Sequence, residues 1–286
     1  MKTLHKRAIS AAAVALLSGL ACSSAFAADT PTDPEDAGSP ISANVTIVND
    51  YRYRGISQSN FKPAIQGGFD YAHESGFYIG NWNSSISWVG DNAYINTGKS
   101  VSAPIEMDFY AGFKKEFIGE GFASDFGILQ YYYPTSGLTT TANMVNPNST
   151  EIYAAQNFTF GPVTGFAKVS YALTSLFGNV NSQGSYYPDL TLNYDTGVWG
   201  LALNGHIGYQ YVAGNQATSP YVSNNSLYSY TDWKLGVTKD FGGGLSAAVA
   251  WVATNAKTVA GAYSYASPQG NNLGRSTGLI SLTKTF

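Results

Sequence analysis

The sequence predicts an all-β fold: a transmembrane antiparallel up-and-down β-barrel of about twelve strands, with short periplasmic turns and long extracellular loops. Three observations predict it. Turn signals cut the chain into segments of roughly nine to twelve residues that alternate with period two. The connectors between them run alternately short and long, about five against six, as expected when one end of a barrel carries tight turns and the other long loops. Charged residues make up only 12 % of the chain, aromatics 14 % and tyrosines 21 in number, where a soluble domain carries about 25 % charge.

The start of the 286-residue chain reads as a secretory signal over 1–27. Lys2, Lys6 and Arg7 supply the positive region, 8–20 the apolar stretch, and Ala25-Phe26-Ala27 the cleavage site. That stretch is too short for a spanning helix. Cys22, the only cysteine, leaves with the signal, because Leu20 sits one place too close to it for a lipoprotein box. Disulfides and cysteine-based metal sites are thereby excluded from the mature chain. Losing the three leader cations leaves twelve Lys and Arg against eighteen acids, a balance of −6, which excludes nucleic acid as the expected partner. No later stretch offers about eighteen consecutive apolar residues, so helical spans are excluded too.

Residues 28–40 (ADTPTDPEDAGSP) are acidic and proline-rich and predict a disordered lead-in, with the barrel over 41–286. The first span is expected over 43–54, with Ala43, Val45, Ile47, Tyr51 and Tyr53 on one face and Asn44, Thr46, Asp50, Arg52 and Arg54 on the other. After a loop at 55–62 comes a span with Ile65, Gly67, Phe69 and Tyr71 opposite Gln66, Gly68, Asp70 and Ala72. A tight turn at 73–76 leads to 77–88, where Tyr78, Trp82, Ile86 and Trp88 fall in phase. A polar loop over 89–104 precedes 105–114, in which Ile105, Met107, Phe109, Ala111 and Phe113 alternate with Glu106, Asp108, Tyr110, Gly112 and Lys114. Further strands are expected over 122–133, 150–158, 163–171, 189–194, 199–210, 228–238, 245–253 and 274–286, with turns at 116–121, 159–162, 195–198 and 239–244. Long loops fill 134–149, 172–186, 211–227 and 254–273. No segment shows a helical period.

Alternation alone also fits a secreted β-sandwich. The membrane barrel is preferred because the polar face is rich in Gly, Ser, Asn and Thr with isolated charges, which suits a wetted bore. Tyr and Trp gather near segment ends, namely Tyr51, Tyr53, Trp82, Trp88, Tyr131–Tyr133, Tyr209, Tyr211, Tyr228 and Tyr230, and this predicts interfacial girdles. The last strand ends on Phe286 with Ile280 and Leu282 in phase, the kind of ending read by the barrel-assembly machinery. In 230–237 the outward set would be Trp233, Leu235 and Val237; flipping that strand would expose Lys234 to hydrocarbon at a cost of ~2–4 kcal/mol.

Asp50-Tyr51-Arg52-Tyr53-Arg54-Gly55-Ile56-Ser57-Gln58, Pro63 through Tyr71, Gly76-Phe77-Tyr78 through Trp82, Glu106-x-Asp108-x-Tyr110-x-Gly112, Tyr132-Tyr133-Pro134, Tyr230 through Val237 and Lys284-Thr285-Phe286 resemble the TorF family of porin-like proteins, also catalogued as the conserved proteobacterial family Gcw_chp. The resemblance covers nearly the whole mature chain. It implies a Gram-negative outer-membrane barrel and porin, without a defined substrate or catalytic residues.

The residues expected to line the bore are Asp50, Arg52, Arg54, Asp70, Glu106, Asp108, Lys114, Asp125, Glu151, Lys168, Asp189, His206, Asp232 and Lys234. Two readings of them stay open: cross-strand pairs that plug a narrow interior, or a water-filled path whose field selects solutes. Acids outnumber bases, so counting alone favours cations or neutral solutes. His206 reads as a neutral bore-lining imidazole and His73 as a turn residue. Thr97-Gly98-Lys99-Ser100 lacks the first glycine and the strand–loop–helix context of a phosphate loop, Ala93 standing where that glycine belongs. No calcium-loop spacing occurs. No catalytic, metal or cofactor site is expected, and the partners expected are outer-membrane lipids, the assembly machinery and small solutes. The expected role is a passive channel for small hydrophilic solutes or ions. The alternatives are a barrel hydrolase using His206, or a structural or adhesive barrel acting through loops 134–149 and 211–227.

Overall fold

Twelve strands close on themselves in the computed structural model, which describes residues 39–142, 144–219 and 222–286. The signal reading over 1–27 and the lead-in up to residue 38 lie outside the described residues. The barrel strands are β1 Ile41–Val48, β2 Ala64–Ala72, β3 Phe77–Ser85, β4 Ile105–Gly119, β5 Phe122–Tyr132, β6 Ser149–Phe160, β7 Val163–Ala172, β8 Tyr186–Asp195, β9 Leu201–Gln210, β10 Tyr230–Asp240, β11 Leu245–Thr254 and β12 Thr277–Thr285. Each pairs antiparallel with its neighbours in sequence. β12 returns to β1 through Asn44↔Thr285 to Val48↔Ser281, so no strand edge is left unpaired. Five short turns and both strand termini sit at one end, and six long connections at the other. No described helix is long and apolar enough to cross a membrane.

Period-two alternation puts apolar side chains on the outside. On β10, Leu235 is 64 % exposed while its neighbour in the opposite phase, Asp232, is 2 % exposed. Ile47, Phe69, Ile79, Phe109, Phe126, Ile207, Val249 and Ile280 likewise stand exposed on the outer face. Water would make such a surface unstable, whereas hydrocarbon accommodates it.

Several expectations are corrected. The first strand stops at Val48 rather than running to Arg54. Asn49 extends the ladder by one step, its Oδ1 accepting from the Ile280 N–H at 2.8 Å, and the chain then turns inward. Arg52-Tyr53 pairs with Ile56-Ser57 as a small ribbon inside the barrel. Its tip needs the left-handed region at Arg54 (φ 45) and Gly55 (φ 77). Gly55 also lies against the far wall, where a Cβ would stand 2.8 Å from the Asp232 Cβ.

The supposed polar loop after β3 contains a ten-residue helix, α1 Trp88–Thr97. It buries only Val89 and Ala93, too little to leave a periodic signal. Ser87 donates to Asp91 at 2.8 Å at its start, and Gly98 closes it in a left-handed cap. A second helix, α2 Asn224–Tyr228, is a single turn. The turn expected over 116–121 shrinks to two residues, because β4 continues through an irregularity between Glu116 and Gly119.

Seven of the eleven residues of the expected girdle are inside. Tyr51, Trp82, Tyr131 and Tyr133 are buried in one interior cluster with Tyr53 and Trp88 packed against it, and Tyr230 is buried in another with Ile56 and Leu273. Only Tyr132 and Tyr209 of that set are exposed outward. A tyrosine ring suits either side provided its hydroxyl finds a partner. On β3 the registers Gly68↔Trp82 and Trp82↔Asp108 turn Tyr78 and Trp82 inward. Phe77 and Ile79 are then exposed on the outer face, while Asn81 is buried and donates to the Asp108 carbonyl at 3.0 Å.

Candidate functional site: the bore and its inward loop

The inward loop, residues 49–63, is pinned to every side of the barrel. Arg52 Nε donates to Asp50 at 2.7 Å, and its Nη1 donates to the carbonyls of Gly55, Leu273 and Arg275 at 2.9, 2.8 and 3.1 Å. Asp50 also accepts from Ser57 at 2.6 Å. Arg54 reaches across to β6, gripping both oxygens of Glu151 at 3.1 and 2.7 Å, and donates to Gln210 of β9 at 2.6 Å. Its guanidinium lies 4.2 Å from the centre of the Tyr187 ring. Gln58 accepts from the backbone N–H groups of Ser87 and Trp88 at 2.9 and 3.1 Å, tying the loop to the start of α1. Phe177, from the connection after β7, packs edge-on against Tyr53 and Tyr131.

Glu106 accepts from Tyr51 and, at 2.7 Å, from Tyr133. Burial, and then the neighbouring Glu106 and Asp108 carboxyls, holds both phenols well above their ordinary pKa, so they remain donors. Asp108 lies beside them, 3 % exposed, with its Oδ1 lacking a partner.

Around the inner wall the registers lay out a charge belt. Lys114 pairs with Asp125, Asp125 with Ala155, Ala155 with Lys168, Lys168 with Asp189, Asp189 with Gly208, and Gly208 with Asp232. Lys168 Nζ stands 3.7 Å from Asp189. Asp125 accepts from Tyr78 at 2.6 Å and Asp70 from Tyr110 at 2.5 Å. Asp232 accepts from Tyr187 at 2.8 Å and lies 3.1 Å from His206 Nε2, whose Nδ1 is 3.0 Å from Thr191 Oγ1. Lys234 sits opposite His206 in the ladder. All fourteen residues named from the sequence therefore fall within the inward loop or on the inner wall, in three groups: the Asp50–Arg52 anchor, the Arg54–Glu151 bridge with Glu106 and Asp108 near it, and the belt.

The sequence reading missed the tyrosines as partners of these carboxyls. Their phase was the available signal: Tyr110 follows Asp108, Tyr153 follows Glu151, and Tyr187 precedes Asp189, each at a spacing of two. The rings of Tyr78, Tyr153 and Tyr187 each lie over a glycine, as Tyr110 does over Gly80. A Cβ at Gly112, Gly127 or Gly208 would come within 2.3, 2.2 or 2.1 Å of the hydroxyl of Tyr78, Tyr153 or Tyr187. Among the described residues, no group of three or more His, Cys, Asp or Glu is placed to hold a metal ion.

A family model described as "Bacterial protein of unknown function (Gcw_chp)" matches residues 33–286. No curated protein matches the chain. Among solved structures, the NanC porin aligns at a TM-score of 0.50 and 8 % identity, covering 86 % of this chain and 98 % of that one. The KdgM porin aligns at 0.48 and 7 %, covering 86 % and 97 %. At such identities the similarity speaks for the barrel fold alone.

Proposed function

This chain belongs to the Gcw_chp family, and from its architecture we propose that it is an outer-membrane channel passing small hydrophilic solutes or ions, its bore narrowed by the inward loop. The finer TorF identity, carried by the Asp50–Gln58 block, belongs to the same proposal. One observation carries the reading: a closed twelve-strand wall that is apolar outside and holds both signs of charge inside. Eight strands fill with side chains and sixteen leave a wide channel, so twelve suit a narrow bore. Glycines beneath these tyrosine rings keep ring volume against the wall. The Arg54–Glu151 bridge holds the loop across the bore, where it sets the narrowest point.

Planar-bilayer recording of the purified chain tests this. Discrete conductance steps are expected, and a persistently silent barrel would sink the channel reading.

A hydrolase reading has one observation in its favour: Thr191, His206 and Asp232 form a hydroxyl–imidazole–carboxylate chain. Strand N–H groups lie in the plane of the sheet rather than pointing into the bore, so this wall offers no paired donors for an oxyanion. Loss of a measured ester or peptide hydrolysis in His206→Ala would revive it.

A further inference from the structure

Charge in the bore is distributed unequally between what is sealed and what is available. Asp50, Asp70, Glu106, Asp108, Glu151, Asp189 and Asp232 are all 8 % exposed or less. Arg52, Arg54, His206 and tyrosine or serine hydroxyls hold both oxygens of Asp50, Glu106, Glu151 and Asp232, Tyr110 holds one oxygen of Asp70, Lys168 lies 3.7 Å from Asp189, and the unpartnered Asp108 Oδ1 is itself buried. Asp125 is half-buried on the inner wall. It already accepts from Tyr78 and stands opposite Lys114.

The lysines differ. Lys114 and Lys234 are half-buried, and the Lys168 side chain is 11 % exposed. Lys168 has one ion pair, at 3.7 Å. Lys114 and Lys234 have none among the described residues.

We infer that the bore selects small oxyanions, carboxylates or phosphates, over cations, with Lys114, Lys168 and Lys234 as the receiving groups; this rests on the channel reading above. A cation shedding water needs oxygen lone pairs, and those of the wall acids are sealed or used. An ammonium offers three donors and no acceptor, and one held in a confined bore without a counterion gains most from an anion. A small cavity at Lys168 has Arg54, Lys168 and Asp189 in its lining beside Ser170 and the rings of Tyr153 and Tyr187. This reverses the preference that counting acids against bases suggests, because burial and pairing decide which charges a solute meets.

The test records reversal potentials of the full chain in planar bilayers under a potassium chloride gradient. Alongside the unaltered chain runs a Lys114→Gln/Lys168→Gln/Lys234→Gln variant whose folding is checked by heat-modifiable gel mobility. The expected result is chloride preference that the variant loses, together with block of the current by inorganic phosphate in the unaltered chain only. Cation preference, or a reversal potential unchanged in the folded variant, overturns the inference and leaves the channel reading intact. A silent barrel instead ends the channel reading. The receiving site is then decided by titrating the detergent-solubilised chain with inorganic phosphate and following its intrinsic fluorescence. Saturable binding lost in Lys168→Gln supports the site, and absence of saturable binding overturns it.

Discussion

On the inner wall, a Cβ at Gly208 would stand 2.1 Å from the Tyr187 hydroxyl, which donates to Asp232 at 2.8 Å. Gly208→Ala should therefore push the phenol off its carboxyl and overpack the wall. A loss of about 1–3 kcal/mol is expected, read as a lower urea midpoint for unfolding from lipid vesicles. Glu151 poses the opposite problem. Both of its oxygens hold Arg54 in a buried site, so Glu151→Ala should cost about 3–5 kcal/mol by stranding a buried charge. Arg54→Met/Glu151→Leu removes both charges and should recover most of that loss. Hydrogen exchange of the loop amides separates the two variants: fast in the single, slow in the double.

Among the elements, the 49–63 segment is the one that departs from the barrel plan. Its backbone runs inside, and its hydrogen bonds go to side chains and to carbonyls of the connection after β11, where an ordinary extracellular loop would use water. Replacing residues 50–61 with a short glycine–serine turn should widen the bore. Single-channel conductance is expected to rise at least severalfold, with reduced discrimination between small and large solutes; an unchanged conductance would show that the loop is not the constriction. The strand pairing would survive, since β1 and β2 hold each other through eight residue pairs from Ile41↔Tyr71 to Val48↔Ala64. α1 is expected to loosen in the same variant, because Gln58 accepts the N–H groups of Ser87 and Trp88.

For the whole molecule, closure of β1 on β12 satisfies every strand edge within one chain, the condition for crossing hydrocarbon. The unaltered chain should migrate as a compact band on unheated detergent gels and shift on boiling. It should also sediment with membranes rather than in the soluble periplasmic fraction; recovery as a detergent-free soluble species would contradict the facing of Leu235, Val249 and Ile280. That facing was legible from β10 alone, where Asp232 and Lys234 alternate with Trp233, Leu235 and Val237. On β3 it was not, because Tyr78 and Trp82 read as an apolar face until the neighbouring strands place them opposite Gly112 and Asp108.

The chain's own pattern determined the strand rhythm, the alternation of short and long connectors and which side of most strands is greasy, because these are local consequences of a period of two and of turn chemistry. It also marked out the charged residues that end up inside. Tertiary structure alone decided that residues 49–63 fold into the bore, that Arg54 bridges to Glu151 ninety-seven positions away, and that most wall acids are buried and paired while Lys114 and Lys234 have no ion pair among the described residues. The physical reason is that ion pairing and exposure in a closed barrel depend on register around the circumference, which joins residues far apart in sequence and leaves no periodic trace.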